Sequence, residues 1–255
     1  MQYLSPRALI ATGMIAVSFL FLSFVQTAVG TIFWVVILLA ITVVSLFFAP
    51  RLTRDSDTRS HVIIPLLIAV IGFVSLYVLT ESSTTRWIIF AVAIFVVFTV
   101  LSAVYRSHVP AVFRSRHLVP IVRMALYAGL YGFFSAAFGM IVFLQVPVWL
   151  LALLCAAVAG LSAWSLLHLA GFDDPTLLPI SISVSVLIFE FFWVLTFLPV
   201  GYAAQGWMLA ALLYSLVQGV AFFSHTTARL KGRSRTRLIT ALLSVIIVVV
   251  IARWV

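Results

Sequence analysis

Nine stretches of roughly twenty mostly apolar residues succeed one another along the chain, at about 8–28, 31–49, 62–80, 87–105, 124–145, 148–170, 176–198, 203–224 and 238–254. That is the length an α-helix needs to cross the hydrocarbon core of a bilayer. Strands of a membrane barrel would be about half as long and would alternate in polarity; these segments do neither. The chain is 65% hydrophobic and 8% charged, where a soluble domain carries about 25% charged residues. Its mean hydropathy is +1.28. So much apolar surface has to face lipid. The pattern predicts an all-α polytopic transmembrane helix bundle, a single integral membrane domain over residues 1–255 with nine spans.

Arginine and lysine orient the threading. Arg7 precedes span one; Arg51, Arg54 and Arg59 follow span two; Arg106, Arg114, Arg116 and Arg123 follow span four; Arg229, Lys231, Arg233, Arg235 and Arg237 follow span eight. With nine spans all thirteen fall on one side, and only Arg86 and Arg253 fall opposite. Basic residues stay on the cytoplasmic side of short loops, so the N-terminus is expected in the cytoplasm and the C-terminus outside. Tryptophan agrees: Trp34, Trp87, Trp149, Trp193, Trp207 and Trp254 fall in the outer half, mostly near span ends, and only Trp164 does not. Interfacial tryptophans form such belts. The opening stretch, from Met1 to Gly30, loosely resembles a secretory leader, but its apolar run of about 20 residues exceeds the usual 7–15. A retained helix is expected; cleavage would leave eight spans in the same orientation.

The net charge of +9 would suggest nucleic acid in a soluble chain. Here the basic residues lie in short loops, where they meet anionic lipid headgroups, and no nucleic-acid partner is expected. Membrane lipids are the expected partners. The lone Cys155 permits no intrachain disulfide.

The outer connections are very short, at Val29–Gly30, Glu81–Arg86, Gln145–Pro147 and Pro199–Tyr202. No loop can hold a soluble catalytic domain. Span five places Ala128, Gly132 and Ala136 four apart, with Ser135 and Gly139 on an adjoining stripe, and span six repeats the spacing with Ala152, Ala156 and Gly160. Small residues at this interval let membrane helices approach closely. Spans five and six are therefore expected to form a tight hairpin, and any site is expected among spans five to eight. Span nine, strongly aliphatic, is expected at the lipid-facing periphery.

The leading candidate is Glu190, in "FEFFWVLTFLPVG". A charged side chain at the bilayer centre costs at least about 2.5 kcal/mol, and desolvation disfavours the charged form. No arginine or lysine stands at this depth in any span. Ser183 and Trp193 share a broad helix face with Glu190. Matching depths across the turn to span eight brings Tyr214 level with Glu190, and Gln218 level with Ser183 or Ser185. A polar seam is thus expected, able to titrate, to bind a cationic or hydroxyl-bearing ligand, or simply to hydrogen-bond. The second candidate is "HLAGFDDP", where His168, Asp173 and Asp174 meet the cytoplasmic rim. Asp174 followed by Pro175 also has the form of a helix start, and three such groups are too few ligands for a hard cation. No metal and no cofactor is expected. "YRSHVPAVFRSRHLVPIVR" and "HTTARLKGRSRTR" suit headgroup contact.

No lipid-transferase motif, H-E-x-x-H, Walker loop or usable nucleophile–histidine pair occurs, and all five histidines lie near the inner interface. The chain therefore leans away from enzymes. The run "FEFFWVLTFLPVGY" resembles a segment of uncharacterised multi-pass inner-membrane proteins of small-genome, candidate-phylum bacteria. The resemblance covers about fourteen residues; it implies the cytoplasmic membrane and no activity. Three functions fit the residues: a permease-like or ligand-binding protein centred on Glu190, Tyr214, Gln218 and Ser183; a non-catalytic scaffold or assembly subunit; and a lipid-modifying enzyme at the His168–Asp174 rim.

Overall fold

The structure is a computed structural model and describes residues 10–17, 56–105, 111–170, 172, 174–224 and the single positions Ile239, Leu243 and Ile246. The expected spans at 31–49 and 238–254 (those three positions apart), most of 8–28, and the loop arginines and lysine from Arg229 to Arg237 lie outside the described residues. Every regular element among the described residues is an α-helix. In chain order these are α1 (residues 10–17), α2 (Ser56–Leu79), α3 (Ser83–Tyr105), α4 (Ala111–Leu144), α5 (Val148–His168), α6 (Asp174–Leu195) and α7 (Tyr202–Ser224).

Five of them carry segments long and apolar enough to cross a membrane: Ser83–Ala103, Val119–Leu144, Val148–His168, Pro175–Leu195 and Tyr202–Val220. They coincide with expected spans four to eight. The apolar part of α2, Ile63–Leu79, is shorter. The chain divides into two compact units, Met1–Gly129 and Leu130–Val255, so the division falls inside α4.

In the first unit α2 and α3 form a hairpin. Its turn is held at the end of α2, where the Thr80 hydroxyl donates to the Leu76 carbonyl at 2.7 Å and the Arg86 guanidinium Nε donates to the Thr80 carbonyl. The last carbonyls of a helix have no partner within it, and these side chains supply one. Arg86, one of the two basic residues expected on the outer side, is thus a helix-end clamp. Gly72 of α2 crosses the α4 backbone at Gly129 so closely that a Cβ at Gly72 would lie 3.0 Å from the Gly129 Cα. Without a hydrophobic driving force between helices in lipid, such close backbone packing is what holds them. α3 turns Trp87, Ile88, Val92 and Phe95 outward and buries Ile89, Ala93, Val97 and Val100, a stripe with helical spacing.

In the second unit α5 and α6 pair along their length. Gly160 of α5 lies against Ser181 and Ser185 of α6, where an added Cβ would sit 3.5 Å from both the Ser181 carbonyl oxygen and the Ser185 Cβ. The small-residue stripe of span six therefore serves span seven, whereas the sequence suggested span five. The second half of α4 instead meets α6 through the stacked rings of Phe138 and Phe192, 4.4 Å apart. It meets α7 through Tyr131 and Trp207 at 5.6 Å, and Gly206 abuts Ser135. A short connection fixes which helices follow one another, but side-chain size decides which approach closely.

Candidate functional site

α6 carries the leading candidate, and its sequence determines which way Glu190 faces. The helix is 22 residues long, about 33 Å at 1.5 Å per residue. Leu177, Ser181, Val184, Ile188, Phe192 and Leu195 are buried. At 100° per residue they fall within an arc of about 80°. Glu190 lies about 160–200° from the middle of that arc by the same rotation. Glu190 is accordingly exposed, as are Ser183, Val186, Trp193 and Val194. Among the described residues it has no hydrogen bond or ion pair.

Ser183 shares this face, as its spacing required, and its hydroxyl donates to the Pro179 carbonyl at 2.9 Å. Such a bond back along the helix satisfies a hydroxyl in an apolar surrounding. Trp193 also lies on this side, its ring 6.5 Å from that of Phe189. The partners expected on α7 are placed differently. Gln218 is 6% exposed and Tyr214 is half-buried. Glu190 thus lies on the same exposed side of α6 as Ser183 and Trp193, whereas Gln218 of α7 is buried. Depth along a helix leaves rotation about its axis undetermined.

A residue that sequence reasoning missed sets the position of this helix. Gln205, one turn into α7, donates from Nε2 to the Leu195 carbonyl at 2.9 Å and to the Leu198 carbonyl at 3.1 Å. Leu195 is the last residue of α6, where carbonyls lack helical partners, and Leu198 lies in the turn that follows. The turn itself bonds Leu198 N–H to Leu195 at 3.1 Å and Gln205 N–H to Gly201 at 3.1 Å. An amide one turn after a Pro-Val-Gly turn was the available signal.

At the second candidate, His168 ends α5, half-buried, with its ring 6.4 Å from that of Trp164. Asp174 opens α6 and Pro175 follows in the first turn; Asp173 lies outside the described residues. No group of three or more His, Cys, Asp or Glu among the described residues could hold a metal ion. From Ala111 on, the basic segment before span five belongs to α4, so Arg114, Arg116 and His117 stand on the span's own helix, which is 34 residues long. That is about 51 Å, well beyond the ~30 Å hydrocarbon core.

Several buried hydroxyls complete the polar inventory. Ser162 donates to Val158 at 2.6 Å and Ser185 to Ser181 at 3.0 Å, whereas the hydroxyls of Ser135, Ser165 and Ser181 have no partner among the described residues. Comparison with protein-family models, with curated proteins and with solved structures finds no match for this chain.

Proposed function

We propose that this protein is a non-catalytic subunit of the cytoplasmic membrane that acts by assembling with other transmembrane helices through the Glu190 face of α6. In this reading it threads nine times, with its N-terminus in the cytoplasm and its C-terminus outside. The observation that carries the reading is the position of Glu190, exposed and opposite the buried arc of its own helix. Glu190 lies about 8 Å beyond the midpoint of α6 at 1.5 Å per residue, still within a ~30 Å hydrocarbon core. A carboxyl facing lipid there is costly, and a docked helix that offers it a hydrogen-bond partner lowers that cost.

The test is the mass of the particle extracted directly from the membrane in polymer-bounded lipid discs. The expected result is a stable complex heavier than one 28.1 kDa chain, released by Val186→Trp on the exposed face of α6 but not by Leu161→Trp on the exposed face of α5. Single chains throughout would overturn the assembly role. A second reading, a permease-like protein, is favoured by the unbonded buried hydroxyls of Ser135, Ser165 and Ser181, because buried polar groups without partners invite water or a ligand. Solute or proton flux in proteoliposomes, lost in Ser181→Ala, would move that reading to first place.

A further inference from the structure

α2 and α4 begin alike. Each opens three residues before an Arg-Ser pair and carries a proline six residues after that arginine: Arg59, Ser60 and Pro65 in α2, Arg114, Ser115 and Pro120 in α4. Aliphatic residues match around the prolines, Ile63, Ile64 and Leu66 against Leu118, Val119 and Ile121. Within this shared frame α4 alone has arginine at two positions, Arg116 and Arg123, where α2 has His61 and Ile68. Ile68 is buried. An arginine in that place carries a charge to the edge of the hydrocarbon, where it is costly unless an anion meets it.

We propose that Arg116 and Arg123 form a binding site for the headgroup of an anionic phospholipid. Seven residues bring a helix to about 20° short of two full turns, so the two arginines share one face, about 10 Å apart along the axis. Counted back from Leu144, the far end of α4, Arg123 stands at about 32 Å and Arg116 at about 42 Å. The hydrocarbon core is about 30 Å thick, and the bilayer with its headgroups about 40–45 Å. The phosphate layer therefore falls between the two guanidinium groups. Each guanidinium forks onto phosphate oxygens with parallel N–H bonds.

Two further features suit a lipid. Arg123 is half-buried with its Nε enclosed, so less side-chain freedom is lost on binding. Pro120, Met124 and Tyr127 lie about 40–100° to one side of Arg123 on the helix wheel. Pro120 and Met124 are exposed and Tyr127 is half-buried, an apolar flank for the acyl chain that starts at this level.

Charge complementarity selects the anionic headgroup. All 34 residues of α4 include no aspartate or glutamate, so the helix offers its arginines no carboxylate of its own. Anionic lipids gather at basic segments of this kind, whereas a zwitterionic headgroup would bring a second cation against the guanidinium groups. The site stands apart from the Glu190 face and does not depend on the assembly reading.

Binding is measured with the full chain in mild detergent, titrated with phosphatidylglycerol or phosphatidylcholine and read by native mass spectrometry. Phosphatidylglycerol is expected to bind about tenfold more tightly or better. Arg116→Gln and Arg123→Gln should each weaken it about fivefold, the scale of one basic residue near an anionic surface. Arg114→Gln removes the same charge about 180° around the helix from Arg123 and should change binding less than about twofold. Millimolar inorganic phosphate should leave the lipid bound. Arg116 stands beyond the hydrocarbon, and an unchanged unfolding midpoint and helical circular dichroism in Arg116→Gln show that lost binding is not lost folding.

Equal binding of the two lipids would overturn the proposal. So would an Arg114→Gln as damaging as the other two, which would mean diffuse charge rather than a site. Displacement of the lipid by inorganic phosphate would make free phosphate the ligand and remove the lipid.

Discussion

Replacing Gln205 by leucine tests whether one amide holds the C-terminal end of α6 in place. The side chain is 7% exposed and leucine nearly matches its volume, so packing changes little while both donated bonds disappear. The bond to Leu195 is buried and the one to Leu198 is part-buried. A typical net hydrogen bond contributes about 0.5–1.5 kcal/mol, and measured interhelical bonds in a membrane protein average about 0.6 kcal/mol. Two bonds therefore give about 1–3 kcal/mol, and the Leu195 carbonyl keeps its bond from the Leu198 N–H, so the loss stays within that range. Reversible unfolding in mixed micelles, followed by tryptophan fluorescence, reads this directly. Amide hydrogen exchange should quicken from Thr196 to Gln205 and stay unchanged in α3. A stability within about 0.3 kcal/mol of wild type would refute the reasoning, because even one average membrane hydrogen bond exceeds it.

Two further perturbations probe the second unit. Gly160→Leu should destabilise the protein by about 2 kcal/mol or more, because Ser185 and the α6 backbone at Ser181 occupy the space the side chain needs and overpacked sites typically cost 1–3 kcal/mol; the same unfolding assay measures it, and Gly201→Ala, with open space around it, serves as the control. Cys155 is fully buried with a free thiol, so a membrane-permeant maleimide should leave it unmodified in folded protein and label it on unfolding, as followed by intact mass.

How much of this was legible in the sequence differs from feature to feature. The spans at 87–105 through 203–224 reappear as α3 to α7 because twenty apolar residues in lipid have one stable solution, a helix that satisfies its own backbone. Helix boundaries moved where a side chain took over from composition: α6 ends at Leu195, before Pro199, because Gln205 and the turn bond its terminal carbonyls. Helix partners were harder. Gly160 looked like a contact for span five, yet it is matched by Ser181 and Ser185 on span seven. The faces of α6 were hardest, since almost every position on it is apolar and its two stripes differ in shape rather than polarity. Glu190 stood out for its charge, and charge alone gave no rotation about the helix axis.

The central claim is that α6 shows its Glu190 face to another transmembrane helix and its Val184 face to its own chain. A photo-crosslinking amino acid placed singly from Ile182 to Val194 in native membranes measures this, with Glu190 itself left in place. Bands heavier than one chain should appear from Ser183, Val186 and Trp193 and be absent from Val184, Ile188 and Phe192. Heavier bands from the buried positions, or from no position, would contradict the account.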